Sequence, residues 1–120
     1  MMWCASISLA LQAEYAAEYA RGEHGSSPIP PNQHGEHVVL LCWVAVGNVY
    51  PITRNTDYSV GNNKCHLFGG PLKPGFSAHC AAISRAQQYQ AASNPSQAEY
   101  DEIVVKDAAQ VLPQYRVYFK

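Results

Sequence analysis

The chain has 120 residues, a length typical of one domain that buries roughly two thirds of the surface its unfolded form exposes. Only 14% of the residues are charged and the net charge is −1, so the composition lacks the basic surface that binds nucleic acid or anionic lipid. No apolar run approaches the length of a membrane span. We therefore expect a single domain over residues 1–120, without direct nucleic-acid binding and without a membrane partner.

The N-terminal segment, residues 1–13, has the apolar run and small-residue end of a short signal peptide. It has no positively charged leader and continues directly into a helical pattern, so we interpret it as part of the fold. That pattern covers residues 9–21, which are rich in the helix-favouring Ala, Leu, Gln and Glu, and Gly22 follows as a typical helix end. The sequence thus predicts one clear helix over residues 9–21.

The two faces of this helix differ in side-chain size. Tyr15 and Tyr19 are four residues apart and share one face. Periodicity alone predicts that their rings are half-buried and that their hydroxyls reach water. A second, narrow face is suited to lying close on a sheet and carries four alanines at helical spacing: Ala10, Ala13, Ala17 and Ala20.

The middle of the chain alternates loops with one long apolar run. Residues 25–37 are loop by composition, with three prolines, two glycines and two serines. Residues 38–46 are uniformly apolar and lack the alternation of a half-exposed strand, which predicts a central strand covered on both faces. Residues 53–77 are irregular apart from a turn at residues 72–75, and so long a loop is usually functional or disordered. The pattern of residues 78–92 favours no single state.

Two strands close the chain. After a turn at residues 94–96, residues 100–106 and 112–119 are predicted as strands separated by a polar break. One main helix, at least three strands and long loops together predict the α+β class, with a mixed or antiparallel sheet. Glu102 stands where the first of these strands leaves the core for a cleft or for solvent. A carboxylate at such a position is ordinarily a solvated strand end.

The cysteines offer a second candidate for chemistry. No Cys-x-x-Cys pair exists, and the four residues lie mostly in apolar surroundings, so we expect free buried thiols in a reducing compartment: Cys4, Cys42, Cys65 and Cys80. The alternative is a zinc site built from Cys65-His66 and the mirrored His79-Cys80. Structural zinc sites usually take ligands two to four residues apart, which favours two unrelated pairs and no metal.

Three segments, taken in order, resemble one known family. The first is the helix at residues 9–20. The second is Leu-Cys-x-Val-Ala-Val-Gly-Asn-Val-Tyr at residues 41–50. The third is Tyr-Asp-Glu-Ile-Val-Val at residues 100–105, followed by Asp107 and by Ala-Gln-Val at residues 109–111. Their order and spacing resemble the C-terminal portion of the poly(ADP-ribose) polymerase catalytic domain, which belongs to the ADP-ribosyltransferase superfamily. The resemblance covers nearly the whole chain, although no single motif is long.

The resemblance implies an ADP-ribosyltransferase-like fold and a pentosyltransferase that uses NAD as its substrate and modifies a protein acceptor. Glu102 matches the family's catalytic glutamate, which stabilises the positive charge that develops when the bond from ribose to nicotinamide breaks. Tyr19 matches the tyrosine that stacks on the nicotinamide ring. Ser8 stands in place of the tyrosine of the family's His-Tyr-Glu triad, and Tyr15 shares the helix face of Tyr19. We therefore expect Tyr19, Ser8 and Tyr15 to contact the cofactor, with no metal.

Two departures from the family pattern are visible. Ala16 replaces the serine that bonds the carboxamide, and Ser6-Ile7-Ser8-Leu9-Ala10 replaces the family's Gly-x-Tyr-Phe-Ala. The family's first part, with its His-Gly motif, has no counterpart before Met1, so we expect a truncated or degenerate version with an apolar seam beside the helix through which the chain associates. An inactive module of the same fold, binding NAD, ADP-ribose or a protein, is the alternative. Either reading implies an intracellular, nuclear or cytoplasmic protein.

Overall fold

The computed structural model describes residues 7–23, 29–52, 72–85, 90–91 and 94–120. These residues form one α-helix and seven β-strands, which in chain order are β1 (Ile7–Ala10), α1 (Ala13–Arg21), β2 (His37–Val44), β3 (Val49–Ile52), β4 (Ala78–Ser84), β5 (Gln90–Ala91), β6 (Tyr100–Val105) and β7 (Val111–Phe119). Two 3₁₀ turns, Pro95–Gln97 and Ala108–Gln110, precede β6 and β7. The predicted α+β class with one helix and a mixed sheet is confirmed.

The strands form two sheets. The larger, which we call the main sheet, has the order β1-β6-β4-β3, with β5 also paired to β4. Its pairings are antiparallel except that of β3 with β4, which is parallel. The smaller, which we call the ribbon, consists of the antiparallel pair β2 and β7. β6 lies between β1 and β4, so the strand that carries Glu102 is interior to the main sheet.

The buried side chains form two clusters. In the first, Tyr15 of α1 packs on residues of the main sheet, namely Ile52, Ala81, Ile83 and Tyr100. In the second, Ala78, Ile103 and Val105 pack beneath the inner ends of β2 and β7. Burying a large apolar side chain contributes roughly 1.5–3 kcal/mol, so Tyr15 is a principal attachment of the helix to the sheet.

The helix begins at Ala13, so the predicted start at residue 9 is wrong. Residues 7–10 instead form β1, which pairs with β6. The backbone amide of Leu11 continues this pairing by donating to the carbonyl oxygen of Asp101 at 3.0 Å, and the side-chain oxygen of Gln12 accepts from the Asp101 amide at 2.9 Å. The hydrogen bonds to β6 are worth more than the helix propensity of Leu9 and Ala10, because propensity differences are only tenths of a kcal/mol, at most about 0.7, per residue.

The end of the helix is as predicted, whereas its packed face is not. Gly22 adopts a left-handed conformation (φ 76°) and its amide donates to the carbonyl oxygen of Tyr19. The prediction that the alanine face packs on a sheet is wrong, because Ala10 lies in β1 and Ala13 is exposed. The buried residues of the helix are Tyr15 and Glu18. No helix among the described residues has the length and apolar character needed to cross a membrane.

The apolar run at residues 38–46 is not covered on both faces. Its strand, β2, pairs only with β7 among the described residues, and Leu40, Leu41 and Trp43 are exposed. A uniformly apolar run predicts two covering layers, but in the described part of the chain only the inner end of the ribbon reaches a core cluster. Most of the large exposed apolar side chains of the described residues belong to β2 and β7.

The remaining local predictions have mixed outcomes. The turn predicted at residues 72–75 lies one residue later, at residues 73–76, where the Phe76 amide donates to the Lys73 carbonyl oxygen at 3.2 Å. Residues 53–71 lie outside the described part. The undecided segment 78–92 contains β4 and β5. The two closing strands are confirmed to within one residue at each end.

Gln110 joins the ribbon to the main sheet. Its side-chain oxygen accepts from the Asp107 amide at 3.0 Å, and its amide nitrogen donates to the carbonyl oxygens of Ala45 and Ser77 at 3.0 and 3.1 Å. Close by, Gly47 has φ 57°, and a Cβ there would lie 2.8 Å from the Ser77 Oγ. The polar residues between β6 and β7 therefore form a hydrogen-bonded junction between the ribbon and the main sheet.

Candidate active site

A cleft of about 580 Å³ opens between α1, the β1–β6 part of the main sheet and β2. The four residues expected to act on the substrate, Glu102, Tyr19, Ser8 and Tyr15, all line it. The other lining residues are apolar: Ala10, Ala16, Ala20, Ile29, Val38, Val39 and Leu40. A largely apolar cleft with a few convergent polar groups is the usual form of a small-molecule site.

The register of the main sheet leaves space beside Glu102. This residue is the third of β6, and its neighbours across the sheet are Ala10 on β1 and Ala81 on β4. Residues in register share a face of the sheet, so the carboxylate is flanked by two methyl groups. The small neighbours allow a ring from the helix to lie beside the carboxylate.

Tyr15 supplies that ring. It is fully buried and stacks on Tyr100, with ring centroids 4.6 Å apart and an interplanar angle of 10°. Its hydroxyl donates to Oε2 of Glu102 at 3.1 Å and lies 3.2 Å from the hydroxyl of Tyr19. The prediction that this hydroxyl reaches water is wrong, because burial and stacking place it against the carboxylate.

Burial raises the pKa of Tyr15 above its ordinary value, and the hydrogen bond with Tyr19 and the negative charge of Glu102 raise it further. The phenol is therefore protonated at neutral pH and acts as a donor. Tyr15 thus orients the carboxylate from beneath the cleft.

Tyr19 presents the exposed aromatic surface of the cleft. Its side chain is 41% exposed, and its ring meets that of Tyr15 edge to face at 5.1 Å. Burial of the hydroxyl end raises the pKa of Tyr19, the hydrogen bond with Tyr15 opposes this, and the charge of Glu102 adds to it. A half-exposed ring beside a carboxylate suits a flat cationic heterocycle.

Ser8 and Ala16 complete the predicted positions. Ser8 is exposed on β1, two residues from Ala10 and so on the same face of the sheet, which turns its hydroxyl toward the cleft. Ala16 lines the cleft one turn before Ala20 and contributes only a methyl group. The carboxamide-binding hydroxyl that the resemblance implies is therefore not supplied from position 16.

A buried polar network behind the cleft was not predicted from the sequence. Tyr100 donates to Oε1 of Glu18 at 3.0 Å, and Arg85 bonds both the Glu18 carboxylate and the Tyr100 hydroxyl. Glu18 is three residues after Tyr15, so both face the main sheet. The sequence signal for this network is a glutamate on the same helix face as Tyr15. The partners of Glu18 come from β6 and from the end of β4, and sequence spacing does not identify them.

The zinc alternative concerns residues that are only partly described. His79 is buried, and its Nε2 accepts from the Lys73 amide at 2.8 Å, while Cys65 and His66 lie outside the described residues. Within the described ranges, no group of three or more His, Cys, Asp or Glu side chains is placed to hold a metal. Cys42 and Cys80 are free and half-buried, and burial together with the charge of Asp101 raises the pKa of the Cys80 thiol.

Comparison with known proteins adds no family or structural neighbour. A scan against protein-family models, a search of curated proteins and a search of solved structures each found no match. Function is therefore inferred from the chemistry of the cleft together with the sequence resemblance.

Proposed function

We propose that the cleft binds NAD and that the protein transfers ADP-ribose from NAD to a protein acceptor, with Glu102 as the catalytic carboxylate. The observation that carries this proposal is the placement of Glu102 in the cleft, bonded by the buried hydroxyl of Tyr15 at 3.1 Å and next to the half-exposed ring of Tyr19. A carboxylate can stabilise the positive charge that develops on the ribose, and an aromatic surface suits the flat nicotinamide ring.

Each group has a role in the reaction. The bond from ribose C1′ to the nicotinamide nitrogen breaks, nicotinamide leaves with the electron pair, and positive charge develops on the ribose. Glu102 stabilises that charge and accepts hydrogen bonds from the ribose hydroxyls through Oε1, since Tyr15 engages Oε2. Tyr19 supports the departing ring. The nucleophile of the acceptor then forms a bond to ribose C1′, and its proton passes to the carboxylate of Glu102.

A binding module without catalysis is the second candidate, and Ala16 favours it. A methyl group at this position leaves the carboxamide without one hydrogen bond, a loss of roughly 1–3 kcal/mol in binding. Ser8 is also shorter than the tyrosine it replaces in the family, so it reaches less far into the cleft. Both differences weaken the hold on nicotinamide while leaving room for the ADP-ribose part.

The test is nicotinamide release from NAD by the wild-type protein and by Glu102→Gln. We expect the variant to lose about a hundredfold or more in turnover, because the amide cannot stabilise developing positive charge. Asp101→Asn is the matched control, since Asp101 is the adjacent carboxylate of β6 and points to the opposite face of the main sheet. Equal turnover by wild-type protein and Glu102→Gln would remove Glu102 from the mechanism.

Thermal unfolding with and without NAD separates the two candidates. A ligand that binds only the folded state raises the melting temperature by mass action, whether or not chemistry follows. Stabilisation by NAD or ADP-ribose without nicotinamide release would select the binding module. Absence of any shift at millimolar ligand would contradict both candidates.

A further inference from the structure

The ribbon carries a continuous apolar face, most of which lies outside the cleft. The pairs Leu41–Tyr115 and Trp43–Leu112 are in register, and Val117 follows two residues after Tyr115, so their side chains share one face. We call this the ribbon face and define it by Leu41, Trp43, Leu112, Tyr115 and Val117. The exposed fractions are 71% for Trp43, 66% for Tyr115, 60% for Leu112, 58% for Leu41 and 45% for Val117.

The ribbon face borders the proposed active site. Val39 is in register with Val117, so it lies on the same face of the ribbon, and it lines the cleft together with Val38 and Leu40. None of the five residues that define the ribbon face lines the cleft. Arg116 is paired with Leu40, so its side chain belongs to the opposite face of the ribbon. No charged residue is among the five, although charged side chains are what usually keep an exposed strand pair soluble.

We infer that the ribbon face is a homodimer interface in which two copies of this chain pack face to face about a two-fold axis. A two-fold interface brings the same patch of both copies together, so the patch must be complementary to itself. An uncharged apolar face meets this condition, because no like charges are brought together by the symmetry. Tyr115 lies at its centre and Trp43 lies in the neighbouring pair, and these residue types dominate the energetics of protein interfaces.

The area of the ribbon face is sufficient for a second copy. With a full accessible area of roughly 150–250 Å² for a large side chain, the five residues present on the order of 500 Å² per copy. Pairing two such faces removes on the order of 1,000 Å² from water, which is the lower bound for a specific interface. A lipid surface is a poorer occupant, because this face has no Lys or Arg to meet anionic headgroups.

Neighbouring residues of β2 provide a matched pair of variants. Leu40 and Leu41 are the same residue type and are 57% and 58% exposed, but they point to opposite faces of the ribbon. Leu41→Lys places a charge on the ribbon face of both copies, whereas Leu40→Lys places it on the other face. Tyr115→Lys and Tyr118→Lys form a second such pair on β7.

The measurement is sedimentation velocity of the full chain over a micromolar to submillimolar concentration series. We expect the wild-type mass to rise from 13.2 kDa toward twice that value, and Leu41→Lys and Tyr115→Lys to weaken association at least tenfold, since like charges then meet across the axis. Leu40→Lys and Tyr118→Lys should associate as the wild-type chain does. Monomeric wild-type protein at every concentration, or equal weakening by both members of a pair, would overturn the inference.

Fluorescence provides a second readout. The chain has two tryptophans, so a Trp3→Phe background leaves Trp43 as the only one. Its emission should shift to shorter wavelength as concentration rises, because association buries the indole, and Leu41→Lys should abolish the shift. An emission maximum that does not change while the mass doubles would place the interface elsewhere. Circular dichroism establishes that each variant is folded before either readout is interpreted.

Discussion

Tyr15 is held in its protonated form by its surroundings. It is fully buried, stacked on Tyr100 and hydrogen-bonded to Glu102, and its pKa is raised above the ordinary value of a tyrosine. In the unfolded chain the same phenol loses its proton near pH 10. Above that pH the folded state binds one more proton than the unfolded state, so the free energy of unfolding falls as pH rises.

Alkaline unfolding should therefore report on Tyr15. Above about pH 10, this residue alone should lower the free energy of unfolding by about 1.4 kcal/mol per pH unit, until the folded phenol also titrates. Tyr15→Phe keeps the stacked ring and removes the titrating group, so its slope against pH should be shallower than that of the wild-type chain. Urea unfolding between about pH 8 and 11 measures both slopes. Equal slopes would mean that the phenol is not held protonated.

The sequence predicts single residues of the candidate site but not their contacts. Order and spacing select Glu102, Tyr19 and Ser8, and all three line one cleft. The contact between Tyr15 and Glu102 was not predictable in this way, because it depends on alanines at positions 10 and 81 flanking the carboxylate in the register. The register between distant strands is set by tertiary packing, which cannot be determined from a single sequence.

At the scale of elements, α1 is fixed to the main sheet by both apolar and ionic contacts. Tyr15 packs into the first core cluster, and three residues further on Glu18 meets Arg85 and Tyr100. Arg85 also approaches the exposed Glu14 at 3.5 Å. A buried carboxylate requires a positive partner, whereas an exposed one does not, so the two glutamates of this helix should differ in importance.

Replacement of Arg85 tests this difference. Arg85→Ala should lower the free energy of unfolding by about 2 kcal/mol, less than the loss for a wholly buried pair because the guanidinium side is half-exposed. Glu14→Ala, which removes only the exposed partner, should change it by less than about 1 kcal/mol. Equal effects in chemical denaturation would show that burial of Glu18 does not set the strength of the network.

The sequence predicts a strand where the local residue pattern determines it. It fails where pairing with a distant strand determines the secondary structure. The β-branched run before Lys106 and the apolar run ending at Phe119 are strands to within one residue. Leu9 and Ala10 favour a helix by composition, yet pairing with β6 makes them a strand. The apolar run at residues 38–46 suggests burial on both faces, but sequence apolarity cannot show whether a second covering layer is present.

At the scale of the whole molecule, the ribbon and the main sheet meet in a narrow junction. Gly47, at the end of the apolar run, adopts φ 57° and lies against Ser77, which precedes β4. Gln110 bridges the same two segments through its side chain. The relative position of the two sheets, and with it the β2 wall of the cleft, depends on this contact.

Two glycine variants isolate the contribution of the junction. Gly47 and Gly35 both have positive φ, so Gly→Ala costs roughly 1–2 kcal/mol of backbone strain at either position. A Cβ at position 35 meets nothing within 4 Å, whereas at position 47 it would lie 2.8 Å from the Ser77 Oγ. Gly47→Ala should therefore destabilise the protein by a further 1 kcal/mol or so, as crowding typically does. Equal losses in urea unfolding would mean that the junction yields to the methyl group.

The hydrogen bond between Tyr15 and Glu102 also bears on the order of folding. The two residues are 87 positions apart in a chain of 120, and the β1–β6 pairing that aligns them joins segments as distant. Contacts of such long sequence separation form slowly, because the loop between them must be closed before any contact compensates for it. The complete cleft is thus among the last features to assemble. A chain released from synthesis before β6 would lack Glu102 and the strand that aligns it with Tyr15, so it would have no site.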